Sequence, residues 1–237
     1  MLVSHPYKFI FLKPGKTAGT SVEVFLEPLC AAPGHTPSHA TPPIESEYGV
    51  IGERGPDPDK SGFYNHIWPD ELVERLPAEV WRDYVKTATV RNPFDRAVSA
   101  FHHFGLTDAD RDAPQSQIPG LFRRWAMERS PAYFTIKRYL AIGDAPCLDH
   151  FIRYEDLEGT ISAFLEKVGA ADARLGALPR LKTDIRKVDI PLVEYYDAAV
   201  RDRVIEGARF DFDHLGYSTS VEDADRARAG VAAAAKG

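Results

Sequence analysis

"FIFLKPGKTAGTSVEVFL", Phe9 to Leu26, decides how the chain is to be read. Its opening apolar run, continuous with Tyr7 and Lys8, predicts a buried strand over 7–12. Pro, Gly, Lys, Thr and Ser then crowd into "PGKTAGTS" (14–21), and a second apolar run begins. Val22, Phe25, Leu26 and Leu29 share one side at helical spacing, so a helix is expected from Ser21 to about Leu29. A strand that turns through glycines and hydroxyl residues into a helix has the layout of an anion-binding loop. Gly15 and Gly19 would let backbone N–H groups approach an oxyanion, Thr17, Thr20 and Ser21 would add hydroxyl donors, and Lys16 would add a point charge. A ligand-free turn between strand and helix would carry the same glycines.

The loop is not spelled as in nucleoside triphosphatases, where the pattern is G-x-x-x-x-G-K-[ST]. Gly15 and Gly19 have three residues between them, Lys16 precedes the second glycine, and Thr20 stands where that lysine would be. The Mg²⁺-binding arrangement is therefore not reproduced.

Outward from this stretch, strands and helices alternate. "YVKTATV" (84–90) is β-branched and apolar and predicts a second buried strand. "NPFDRAVSAFHHF" (92–104) follows as a helix, with Asn92 as cap, Pro93 in the first turn and Asp95 three residues past the cap. "HFIRYEDL" (150–157) and "GTISAFLEKVG" (159–169) make a third strand and helix, and "PDELVERL" (69–76) is a further helix. The pattern predicts an α/β fold with a central parallel sheet flanked by helices. Residues 30–60, rich in Pro, Gly, Ser and His, form a long excursion with one short strand expected at 48–52. A single domain over 1–218 is expected, followed by an alanine-rich tail, 219–237, read as an exposed helical extension.

Composition limits the partners. The chain has 237 residues, 44% hydrophobic, enough for a sizeable core, and a formal net charge of −6. A broad electrostatic grip on nucleic acid or an anionic membrane is not expected, so any anion must be held by a local basic cluster. Cys30 and Cys147 lack metal-ligand spacing, and the N-terminal apolar run before Lys13 is too short for a signal core or a membrane span. A soluble cytoplasmic protein without stable membrane insertion is the expectation.

A second anion-binding stretch is "TVRNPFDRAVSAF" (89–101). Arg91 ends a strand beside a helix start and Ser99 lies about two turns further on, which suits a second phosphate. Alternatively Arg91 caps a neighbouring carboxylate and Ser99 is a small packing residue. Two anion sites on adjacent strand–helix units match a nucleotide with phosphates at both ends.

At these residues the chain resembles the sulfotransferases that use 3′-phosphoadenosine 5′-phosphosulfate (PAPS), in particular the branch with carbohydrate enzymes such as the heparan sulfate 2-O-sulfotransferases. "PGKTAGTS" is similar to that family's 5′-phosphosulfate loop, and "RNPFDRAVSAF" to its 3′-phosphate segment, with Arg91 and Ser99 at the matching positions. "FIRYEDL" (151–157) also resembles a stretch common in the family. The likeness runs from about Lys8 to Tyr217 and is thin across 30–62 and 105–148. It departs at Gly15, where many members carry the proline directly before the lysine; here Pro14 stands one place earlier.

The resemblance implies a nucleotide-kinase-like architecture and a PAPS-dependent sulfotransferase releasing adenosine 3′,5′-bisphosphate (PAP), with a carbohydrate or small-molecule acceptor and no metal. The donor would be held by Lys16, Thr17, Ala18, Gly19, Thr20 and Ser21, with Arg91 and Ser99 on the 3′-phosphate. Lys16 beside the bridging oxygen would stabilise the leaving phosphate. His66, in "GFYNHIWPDEL" (62–72), is the candidate base, since a histidine titrates near neutrality and family members often place one shortly before such a Glu–Leu pair, here Glu71–Leu72. The alternative is that His66 caps the helix or packs on Trp68. Lys182, Arg186 and Lys187 concentrate charge where similar enzymes close a late loop over the 3′-phosphate, although such a cluster also suits a solvated face.

Asp95 and Arg96 read as capping and surface residues. Phe122, Trp125, Tyr133 and Phe134 line an acceptor pocket or belong to the core. Two rival functions stay open: an ATP- or GTP-dependent phosphotransferase, and a non-catalytic nucleotide-binding protein. Acceptor identity and oligomeric state are not legible.

Overall fold

The computed structural model describes residues 1–55, 57–181 and 188–234. The strands are β1 (Leu2–Ser4), β2 (Phe9–Leu12), β3 (Ile44–Ser46), β4 (Gly49–Ile51), β5 (Val85–Val90), the two-residue pair β6 (Ala141–Ile142) and β7 (Ala145–Pro146), and β8 (His150–Arg153). The helices up to β8 are α1 (Gly19–Leu26), α2 (Pro69–Arg75), α3 (Ala78–Asp83), α4 (Pro93–Ala100), α5 (Asp108–Arg111), α6 (Ile118–Glu128) and α7 (Lys137–Leu140). After it come α8 (Leu157–Lys167), α9 (Leu192–Tyr195), α10 (Ala198–Gly207), α11 (Arg209–Leu215) and α12 (Val221–Ala234).

The fold is α/β, with a six-stranded open sheet in the order β3-β4-β1-β2-β5-β8. The sheet is mixed, which corrects the expected parallel one. β2–β5 and β5–β8 are parallel, whereas β1 runs antiparallel to both β2 and β4, and β3 antiparallel to β4. Connection length explains the split. β2 and β5 are joined by a long crossover that includes α1, but only residues 5–8 separate β1 from β2, and so short a link can join only antiparallel neighbours. The expected strand at 48–52 is β4, the second arm of a hairpin that extends this antiparallel edge.

By packing, the chain forms two compact units, Met1–Val90 with Arg138–Leu181, and Arg91–Lys137 with Lys182–Gly237. The boundary expected at 218–219 is an edge of neither. In the first unit alternate residues of β2 enter different cores, as the pleat requires. Phe9 and Phe11 pack with Val22 and Leu26 of α1 and Ile161 and Phe164 of α8. Ile10 and Leu12 pack with Leu72 of α2 and Val80 just beyond it on α3. Helices thus cover both faces of the sheet. α1 stops earlier than the apolar pattern suggested and tightens into a 3₁₀ turn over Glu27–Cys30, because Pro28 has no N–H to continue the ladder.

The second unit is helical around Phe94, Phe101, Phe122, Phe134, Tyr195 and Phe212. Asn92 caps α4 as expected, its Oδ1 accepting from the Phe94 N–H at 2.9 Å. After Ala100 the helix widens into a π turn over Phe101–Gly105. A Cβ at Gly105 would lie 2.7 Å from both Phe101 and Trp125, so only glycine fits there. α12 is built into this unit through buried Val221 and Ala224, rather than standing off as an exposed extension. Among the described residues no helix is long and apolar enough to cross a membrane.

Candidate functional site

The loop between β2 and α1 is shaped by residues other than its glycines. Lys16 and Ala18 hold φ of 65° and 64°, while neither Gly15 nor Gly19 has a positive φ. A non-glycine residue in the left-handed region costs roughly 1–2 kcal/mol, so two of them persist only under firm external constraint. Thr17 between them supplies it. Its buried hydroxyl donates to the Pro14 carbonyl at 2.9 Å and lies 2.7 Å from Thr89 Oγ1 on β5. A hydroxyl has one proton, so Thr89 is the donor in the second bond and the Thr17 hydroxyl has none left for an anion.

Gly19 serves by its small size. A Cβ there would lie 2.7 Å from Lys13 Cγ and 3.1 Å from Thr89 Oγ1. Among the described residues, the N–H groups of Thr17, Ala18, Gly19 and Thr20 donate to no acceptor. They open α1, whose positive end lies at the same place. The Thr20 hydroxyl is likewise unpaired among these residues, and Ser21 Oγ accepts from the Leu181 N–H at 3.1 Å.

His66 belongs to the same unit. It caps nothing, since α2 begins without a side-chain cap, and no ring contact with Trp68 occurs among the described residues. Instead its Nδ1 lies 2.6 Å from the Lys13 carbonyl oxygen. A carbonyl only accepts, so Nδ1 carries the proton and Nε2 is the basic nitrogen of the neutral ring. Loss of hydration on this crowded side, then the Lys13 ammonium, press the pKa down to about 4, although the residue as a whole is exposed. The ring is neutral at pH 7.

Behind the loop lies an ionic cluster that the sequence reading missed. Glu23 of α1, fully buried, holds Lys13 Nζ at 2.7 Å, Arg54 Nε at 3.0 Å and the Met1 amino group at 2.7 Å. Burial pushes this carboxyl up, but the Met1 ammonium, Lys13 and Arg54 outweigh it and hold the pKa at about 2. One helical turn on, buried Glu27 takes Arg54 Nη1 at 2.7 Å, His35 Nε2 at 2.5 Å and Thr41 Oγ1 at 2.6 Å. The 30–60 excursion is thereby tied to α1. A signal was present: two carboxylates four apart in an otherwise apolar helix must face inward together and need buried cations.

In the second unit, the Arg91 guanidinium is paired with Asp95 of α4, Nε at 2.7 Å and Nη2 at 2.6 Å from Oδ2. Arg228 of α12 approaches the other carboxylate oxygen at 3.9 Å. Asp95 and Arg96 are both buried, which corrects their reading as surface residues. The half-buried Ser99 hydroxyl has no hydrogen-bond partner among the described residues. Phe122, Trp125 and Phe134 are core residues and Tyr133 is exposed. Lys182, Arg186 and Lys187 lie outside the described residues.

No protein family, curated protein or solved structure matches the chain.

Proposed function

We propose that this chain is a PAPS-dependent sulfotransferase of nucleotide-kinase-like architecture, moving a sulfuryl group to the hydroxyl of a carbohydrate or small molecule. The observation that carries this reading is the run of backbone N–H groups from Thr17 to Thr20 that donate to no acceptor among the described residues, with Lys16 and Ala18 in left-handed conformation. Such a concave run of donors at a helix start favours a phosphate-sized anion. Lys16, Thr20 and the loop N–H groups would hold the 5′-phosphosulfate, and Arg91 and Ser99 keep the 3′-phosphate role that the resemblance gives them.

The acceptor oxygen forms a bond to sulfur as the bond from sulfur to the 5′-phosphate oxygen breaks. The electron pair goes to that phosphate oxygen, where Lys16 offsets the added charge. The acceptor proton passes to His66 Nε2, and the imidazolium then keeps its Nδ1–H on the Lys13 carbonyl. This scheme asks for no metal ion. A screen of carbohydrate, phenol, lipid and peptide acceptors with radioactive PAPS tests the reading directly. Labelled product in any class supports it. Transfer of phosphate from labelled ATP with Mg²⁺, and none from PAPS, would replace it with the phosphotransferase.

A further inference from the structure

Lys13 is not in the phosphate loop, yet it bonds both His66 and the side chain before it. Its ammonium is buried, 2.7 Å from Glu23 on α1 and 3.2 Å from Asn65 Oδ1, the side chain directly before His66. Its own carbonyl receives the His66 Nδ1–H at 2.6 Å. His66 needs such a hold, because its backbone sits at φ 57°, a conformation that costs a non-glycine residue roughly 1–2 kcal/mol. The Asn65 main chain adds a bond to the Glu53 carbonyl at 2.7 Å, and Ile67 N–H closes the turn onto Tyr64. The Lys13 side chain is in turn given its place by Gly19, where a Cβ would collide with Lys13 Cγ at 2.7 Å.

We infer that Lys13 is a positioning residue that clamps the 64–67 turn to the end of β2 and holds the His66 imidazole with its proton on Nδ1, so that Nε2 is the nitrogen presented for proton transfer. Only the use made of that nitrogen rests on the sulfotransferase reading; the clamp itself does not. Charges that bear on the ring are Lys13, the Met1 amino group and Glu23, with Arg54 behind Glu23. A hydrogen-bonded backbone partner that selects the tautomer is the arrangement by which histidines elsewhere are oriented for chemistry.

The test is ¹⁵N-edited NMR of the histidines in the full chain, with His66 assigned by its loss in His66→Gln. The wild-type ring should show the neutral Nδ1–H form at pH 7. In Lys13→Met that signature should shift toward the Nε2–H form, while the His150 and His214 signals stay in place and report an intact fold. Asn65→Ala keeps the Lys13–Glu23 pair and should shift the His66 signature in the same direction, so the question is answered even if Lys13→Met does not fold. A wild-type ring already in the Nε2–H form, or an unchanged His66 signature in a folded variant, overturns the clamp. PAP titrated calorimetrically into the wild type separates the two claims. Absence of PAP binding removes the sulfotransferase reading, and the tautomer still decides the clamp.

Discussion

Thr17 shows how a residue can be read correctly as part of a loop and wrongly as to its task. Its hydroxyl is spent on Pro14 and Thr89, so it shapes the loop from within and has no proton left to offer an anion. The sequence pattern marks hydroxyl residues but not which of them faces inward. Gly19 carries a related lesson, since it is needed for the Lys13 side chain and not for backbone freedom. Gly19→Ala should therefore cost about 1–3 kcal/mol by overpacking, read from urea unfolding, and weaken PAP as the loop shifts. Gly15→Ala meets open space and should leave stability nearly unchanged in the same assay. For the chemistry, Lys16→Ala and His66→Ala should each lower turnover with the acceptor found by screening, by about 10²-fold or more. Near-normal turnover in either variant removes that residue from the scheme.

At the scale of elements, α1 presents loop N–H groups at its start and the inward carboxylate of Glu23 along its length, with Glu27 in the 3₁₀ turn that follows. Glu23→Gln keeps the shape and removes the charge that compensates Lys13 and Arg54. Breaking a buried pair of this kind costs about 3–5 kcal/mol, measurable as a drop in the urea midpoint at constant slope. α4 plays the corresponding part in the second unit, where Asp95 fixes the Arg91 guanidinium. Arg91→Ala should weaken PAP far more than adenosine 5′-phosphosulfate in paired calorimetric titrations; equal weakening contradicts a 3′-phosphate role. The cap and first turn of α4 were legible because Asn92 and Pro93 act through local backbone geometry. The Arg91–Asp95 pair also stood within reach as the carboxylate-capping alternative. The partners of Glu23 were not legible, because Lys13 and Arg54 come from segments whose convergence depends on the tertiary fold.

For the molecule as a whole, the α/β class was readable from alternating strands and helices, but the mixed sheet was not. β1 is three residues long, too short for its own period, and its pairing with β2 and β4 begins the antiparallel edge that the β3–β4 hairpin extends. The two-unit packing was hidden as well, since the units interleave along the chain. Two groups near the loop, His66 and Glu23, both lose stabilising effect as pH falls. His66 has a folded pKa of about 4, below its unfolded value of 6.5, so the unfolded chain binds more protons in between and stability falls as pH drops from 6.5 toward 4. Glu23, at about 2 against 4.5, stabilises fully above 4.5 and its share is lost as pH falls toward 2. Urea midpoints across this range should decline in both windows, and the upper decline should flatten in His66→Gln. The central claim, a loop built for a bisphosphorylated nucleotide rather than a triphosphate, is tested most directly by calorimetry with PAP and ADP in the absence of Mg²⁺. The account predicts PAP binding at micromolar affinity or better, with ADP at least about tenfold weaker, a difference of about 1.4 kcal/mol. No PAP binding, or equal affinity for ADP, would contradict it.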